Sequence, residues 1–421
     1  MRTFREIFLL ELRALVRSKT LAMLTVAGVL WVWLFPWLAK DDGTTAGARE
    51  LDIHYSLAGV FALTVVALLA SATGALARER QARRLQLTLV RPVRYVALVL
   101  AKVLAIVTVG AVVLAAACGT LALRADLGVR CNHVLSPVLP SPREEALTMY
   151  DAYIGDPMTP DAVKKAKKDV VLRLLEQRAF DHYQTIVTNA EVSWQFDLQD
   201  AGARAGEREM SARLRFSNQY DMRQDVVGDF TFGGTATSVS NITKAVLTIP
   251  LNPPALDSGS PTLSFFNRGR NVLMLRPRKD VHLLIPADAF GWNLVRTLVA
   301  LVALLALIVS FGLFLSAGLG RSVAIFVAFV TLIVSEMSPS VVDQYADGLE
   351  TDPVDRVGLA ISRFAMKVTR PLSVAAPIGA LAKDECVELR DLLRLVAADA
   401  VAIPLFLSLL TAFLLPRKQD E

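Results

Sequence analysis

Two acids ask first for a chemical explanation, because each lies in a long apolar run: Asp399, five residues before Pro404, and Glu336, at the end of a shorter run. An ionisable group in such a run is a functional candidate by default, serving an ion path or a proton relay. The plainer reading is a carboxylate close enough to a membrane surface to stay hydrated. Three cysteines offer a second chemistry. Cys118 sits inside an apolar run and reads as an inert core residue. Cys131 and Cys386 lie just after one run and just before another. If their Cα atoms come within about 7 Å, they could form a disulfide. Two unrelated free thiols is the plainer alternative.

Other chemistries are missing. There is no G-x-x-x-x-G-K-[ST] phosphate loop, no H-E-x-x-H and no G-x-S-x-G. His54, His133, His182 and His282 stand apart, without metal-ligand spacing. The expectation is a chain with no catalytic residue, no metal site and no cofactor of its own.

The elements that must carry these residues are membrane spans. The mean hydropathy is +0.44 with 53% hydrophobic residues, and the excess is concentrated in a few nearly uncharged runs. Runs of about 18 residues or more match the thickness of a hydrocarbon core. Six spans are expected: Thr20–Leu38, Ser56–Ala77, Tyr95–Leu123, Asn293–Leu319, a shorter Ser322–Met337, and Leu395–Leu415. The N-terminus shows no signal-peptide cleavage pattern, so the first span is expected to be retained.

Lys and Arg in short loops set orientation. Segment 1–19 holds Arg2, Arg5, Arg13, Arg17 and Lys19, and loop 78–94 holds Arg78, Arg80, Arg83, Arg84, Arg91 and Arg94. Loop 39–55 has Lys40 and Arg49 against four acids. Both termini are therefore expected on the cytoplasmic side. Segment 124–290 holds 20 basic and 20 acidic residues, so the net charge of +5 belongs to the loops between spans. It is a topology signal and does not point to nucleic acid.

The expected fold is a membrane α-helical bundle with an inserted extracytoplasmic α+β domain over 124–290. Residues 142–185 read as helical, with Thr159-Pro160-Asp161 as a start signal. Residues 191–290 read as strands of an antiparallel, sandwich-like part: Val192–Leu198, Met210–Phe216, Val226–Phe232, Ala245–Ile249, Thr262–Phe266, Asn271–Leu275 and His282–Ile285. Residues 3–17 read as an amphipathic helix lying on the inner membrane face. In segment 340–394, Val354–Val368 and Pro371–Leu381 read as surface or re-entrant helices. Gly312, Ser316 and Gly320 recur at intervals of four, as do Ala111, Ala115 and Gly119. Small residues so spaced let helices approach closely, within one bundle or between subunits.

The most specific stretch runs Glu79-Arg-Gln-Ala-Arg-Arg-Leu-Gln-Leu-Thr-Leu-Val-Arg-Pro92, and the chain then re-enters a span and reaches Lys102. Physically it is a short, charged amphipathic helix that Pro92 terminates. It resembles the ABC-type-2 exporter permeases, in which an acid after span two, a helix, a Pro and a Lys follow in that order. Glu79, Thr88, Pro92 and Lys102 fall into it. Where the family usually has Gly, this chain has Arg83-Arg84. Arg17-Ser18-Lys19 before span one resembles the family's elbow helix, and Gly318-Leu-Gly-Arg-Ser-Val-Ala324 resembles a segment found in its members. The resemblance covers roughly 1–123 and 290–421.

The resemblance implies the permease subunit of a bacterial inner-membrane ABC transporter. It implies a homodimer or heterodimer of permeases, with ATP and Mg bound by a separate ATPase subunit and export as the direction. Loop 78–94 would take up ATPase motion through Glu79, Arg83, Arg84, Leu87, Thr88 and Pro92. The extracytoplasmic domain could meet substrate or a periplasmic partner. The rival reading is a membrane-anchored sensor or scaffold whose outer domain binds a partner and whose spans only anchor it.

Overall fold

The computed structural model describes residues 2–17, 19–38, 45–81, 95–124, 129–139, 142–160, 168–197, 210–218, 223–243, 245–251, 261–346 and 375–417, with the side chains of 2–3, 20, 45–46, 76–81, 142, 169, 173, 177, 179–183, 278, 336–346, 375–376 and 415–417 outside the description. The chain divides into two compact units, Met1–Cys131 with Asp288–Glu421, and Asn132–Ala287.

The first unit is helical. A backbone in lipid must satisfy its own hydrogen bonds, and uncharged apolar sequence does so as helix. Among the described residues, five helices are long and apolar enough to cross a membrane, with apolar stretches Leu21–Leu38, Gly47–Ala75, Tyr95–Arg124, Phe290–Gly318 and Leu389–Leu414. The expected fifth span, Ser322–Met337, falls in a helix, Arg321–Ala346, whose apolar stretch Arg321–Ser335 is shorter than the others.

Two boundaries move. The helix of the second span begins at Thr45, not Ser56, and carries Arg49 and Asp52 with it. The expected loop 39–55 is thus largely helix. Those charges are tolerated because each has a partner: Arg49 pairs with Asp384 and Asp52 with Arg124. The last span begins at Leu389 rather than Leu395 and changes pitch within itself. Val396–Ala402 is a π-helical stretch between the α-helices Leu389–Leu395 and Ile403–Arg417. Pro404 gives the reason. It has no N–H, and its ring would clash with the carbonyl four residues back, so a wider turn relieves the crowding.

The core of this unit runs along Phe290–Gly318, whose Leu301, Leu305, Ile308 and Val309 are fully buried. Leu57 and Leu68 from the second helix and Val99, Ile106 and Leu114 from the third complete it. The short helix Ala375–Ala382, in the segment expected as surface or re-entrant, puts Ile378 and Leu381 into the same core. Residues 347–374, which include all of Val354–Val368, lie outside the described residues.

The second unit begins with the helices Pro142–Gly155 and Lys168–Gln184. Residues 161–167 are outside the description. The Thr159 hydroxyl donates to the Tyr153 carbonyl at 2.6 Å, closing the end of the helix before it.

Among the described residues, ten strands form three sheets: β1 (Arg130–Leu135), β2 (Thr185–Ile186), β3 (Glu191–Gln195), β4 (Met210–Arg215), β5 (Asp225–Phe232), β6 (Thr235–Ile242), β7 (Val246–Leu251), β8 (Thr262–Asn267), β9 (Leu273–Met274) and β10 (Val281–Ala289). The orders are β1-β10-β4-β7, β3-β8-β5-β6 and the pair β2-β9. Alternation sends Met210, Ala212 and Leu214 from β4 and Phe230 and Phe232 from β5 into one buried cluster, with Trp194, Leu263 and Phe265. Both four-stranded sheets supply that cluster, as in a sandwich. Phe216, Phe230 and Phe265 lie with ring centroids 4.5 to 6.4 Å apart.

Strands β1, β2 and β6 have no counterpart among the expected runs. β6 is polar and mostly exposed, as an edge strand is. It pairs with β5 through Gly233 and Gly234, both at positive φ, as a type I′ hairpin turn requires.

Candidate functional site

Chain paths, polar partners and a disulfide converge at one end of the helical unit. The chain leaves this unit at Cys131 and returns to it at Asp288. Cys131 is bonded to the short turn 384–387 directly, and Asp288 is linked to it through Arg296; the turn runs into the last long apolar helix.

Cys131 and Cys386 form a disulfide, with Cα atoms 5.2 Å apart. On the return side, Arg296 reaches Asp288 at 2.8 Å with one terminal nitrogen and the Val387 carbonyl at 3.2 Å with the other. Between them stands Asn293, fully buried. Its Nδ2 donates to the Glu385 carbonyl and its Oδ1 accepts from the Val387 N–H, both at 2.8 Å. One amide thus satisfies two backbone groups of the turn. Leaving such a buried group unmade costs about 1–3 kcal/mol.

The surrounding contacts draw in the other helices. Phe290 is fully buried, and its N–H donates to the Val129 carbonyl at 3.1 Å, joining the two chain stems directly. Arg49 lies over the Phe290 ring, 5.1 Å from its centroid, and pairs with Asp384 at 3.3 Å. Arg124, at the end of the third helix, bonds the Asp52 carboxylate and the Val32 carbonyl. Asp52 also accepts from the Ser56 hydroxyl at 3.2 Å. This polar collar ties the starts of the helices Thr45–Gln81, Phe290–Gly318 and Leu389–Leu395 to the end of Tyr95–Arg124. It holds no nucleophile paired with a base, and among the described residues no group of three or more His, Cys, Asp or Glu could hold a metal ion. It links both places where the chain leaves and re-enters this unit to turn 384–387 by a disulfide and hydrogen bonds.

A second polar contact lies elsewhere in the unit, between the N-terminal helix Arg2–Arg17 and the third helix. Lys102, only 2% exposed, reaches the Glu11 carboxylate at 3.0 Å. Around it the apolar residues Ile7, Leu12 and Leu15 of the N-terminal helix pack on the core. An ammonium there needs its partner, because an unpaired buried charge costs several kcal/mol.

The residues singled out in the sequence scatter. Glu79 falls in the last turns of the helix Thr45–Gln81, its side chain outside the description. Arg83, Arg84, Leu87, Thr88 and Pro92 lie outside the described residues. Glu336 is on the helix Arg321–Ala346, again without a described side chain. Asp399 is buried in the π-helical stretch. Gly312 does mediate close packing within the chain, since a Cβ there would come 2.6 Å from Leu69. Ser316 is buried and donates to the Leu313 carbonyl. Gly320 departs from the expectation: it is exposed, and a Cβ there would meet nothing within 4 Å. The small-residue register on the third helix also shifts. Ala115 and Gly119 are exposed, whereas Gly110 makes the close approach, with Leu305 2.1 Å from where its Cβ would be.

Sequence reasoning passed over Asn293, Asp288 and the pairing of Arg296, and it read Lys102 through the permease resemblance without a partner. The signal was available: a charge at the end of an apolar run must find a partner. Comparison with known proteins finds no matching family model, no matching curated protein and no matching solved structure.

Proposed function

We propose that this chain is the permease subunit of an ABC-type exporter in a bacterial inner membrane, working as a dimer with a separate ATPase subunit. The observation that carries the reading is the stretch from Glu79 to Lys102, together with what holds its far end. Lys102 is locked to Glu11 of the amphipathic N-terminal helix. A helix docked on an ATPase at 78–94 would therefore push against a braced corner rather than a free strand. Force delivered there enters the third helix directly, and through Leu305, packed against Gly110, it reaches the central helix Phe290–Gly318. The polar collar supports the same reading from the other end, because it ties the inserted unit's stems to the last helix. In this reading the spans carry the substrate path and the inserted unit faces the periplasm, where it meets substrate or a partner.

The test is co-expression with the ATPase encoded beside it. The purified chain alone should hydrolyse no ATP, and the pair should purify as a stable complex that does. Robust hydrolysis by this chain alone would overturn the proposal. Failure of any ATPase to bind would leave the sensor or scaffold reading in its place.

A further inference from the structure

Asp399 lies ten residues beyond Leu389 in the apolar stretch Leu389–Leu414, and it is 5% exposed. Among the described residues its carboxylate takes part in no hydrogen bond or ion pair. The elements packed on its π-helical stretch are the helices Phe290–Gly318, Leu389–Leu395 and Ile403–Arg417. On the first, the one charged residue is Arg296, committed to Asp288 and the Val387 carbonyl. On the second, Arg390, Asp391 and Arg394 are all exposed, and Asp391 pairs with Arg394 at 3.7 Å. On the third, the one charged residue is Arg417, at the far end of the helix. Among the described residues, no cation on these elements is placed to hold the carboxylate in its ionised form.

The backbone adds a second, independent mismatch at the same residue. The Ile403 N–H donates to the Ala398 carbonyl, five residues back. Pro404 has no N–H. These are the two residues that would serve the Asp399 carbonyl, in an α-turn and in a π-turn respectively. The buried residue therefore presents acceptors on its side chain and a backbone carbonyl that neither of these two residues serves. An ionised carboxylate only accepts, whereas a protonated carboxyl carries one O–H donor. A proton corrects the mismatch, and a metal ion does not, because hard cations such as Mg²⁺ and Ca²⁺ take six or more oxygen ligands.

We propose that Asp399 is a reversible proton-binding site inside the membrane, built by the π-turn that Pro404 imposes on the last span. This inference rests on the membrane-embedded helices alone and stands whether or not the chain works with an ATPase. Binding of the proton lets the turn close on itself. Its release puts an uncompensated charge in an apolar setting and opens the turn towards water. The last helix thus has two states, and pH selects between them.

The test is infrared difference spectroscopy on the full chain in lipid nanodiscs, wild type against Asp399→Asn, which keeps the shape and removes the proton. The wild-type-minus-variant spectrum should show one carboxylic-acid C=O band that grows as the pH is lowered and disappears as it is raised. A second readout on the wild type avoids relying on the variant's folding. An apolar carbodiimide, which reacts with protonated carboxyls, should modify Asp399 more at low pH than at high pH, as mapped by mass spectrometry. Three results would overturn the proposal: no such band and no adduct at any pH, a band or adduct of constant size across the pH range, or loss of both on adding sodium at fixed pH.

Discussion

Lys102 and Glu11 illustrate how a single residue's setting decides its meaning. In the sequence Lys102 is a charge near the start of a span. In the structure it is a buried ammonium joined to a different helix. Removing one member of a buried pair costs about 3–5 kcal/mol, while replacing both by apolar side chains of similar volume is often neutral. Glu11→Gln and Lys102→Met should therefore each lower the unfolding temperature of the detergent-purified chain clearly. The double variant Glu11→Leu/Lys102→Met should recover most of the loss. Equal destabilisation by single and double variants would mean the pair braces nothing beyond its own packing.

Helices and strands were readable where one period dominates. Apolar runs placed the five long helices, and period-two alternation found β4, β5 and β8 almost to the residue. The misses follow from elements whose signal is not apolar. β6 is a polar edge strand, and only the Gly233-Gly234 pair announced it. The start of the second helix was hidden because Arg49 and Asp52 look like loop residues until their partners, far along the chain, are known. The π-helical stretch follows from Pro404, but Pro marks a kink without saying which kind. Small residues mark close packing only on the face that turns inward, which a spacing of four cannot identify. Two substitutions separate the faces. Gly110→Val should destabilise the helical unit by about 1–3 kcal/mol, because Leu305 and Leu68 already occupy the space. Gly320→Ala should be silent, since nothing lies within 4 Å of the new atom. Thermal unfolding of the two variants beside wild type measures both.

For the whole molecule, the sequence foretold a membrane helical part with a β-rich insertion, and both are present as compact units. Far less of the polar collar was legible. Cys131 and Cys386 are 255 residues apart in sequence, and Asn293 and Val387 are 94 apart. No local pattern encodes such pairings. Orientation across the membrane rests on the Arg distribution alone. Single cysteines at Ser141 and Ser260 should react with an impermeant thiol reagent in intact cells, and one at Ala82 should not. Cys118 is buried and Cys131 is bonded to Cys386, so the native thiols give a low background. Labelling of Ala82→Cys from outside would reverse the orientation.

Coupling at loop 78–94 is where the proposed function is most exposed to contradiction. One acid and six arginines lie in the sequence between two expected spans, with Pro92 near the far end. If the arginines only enforce topology, Glu79→Ala should be nearly silent, because acids contribute little to orientation. If the loop is a docking helix, Glu79→Ala and Leu87→Asp should leave the chain inserted but should weaken ATPase binding or uncouple hydrolysis from transport. The deciding measurement is ATPase co-purification, with transport-stimulated hydrolysis in proteoliposomes, for each variant against wild type. The permease reading predicts a clear loss of binding or of stimulated hydrolysis in both variants. Normal binding and normal stimulation in both would show that loop 78–94 is not the coupling element.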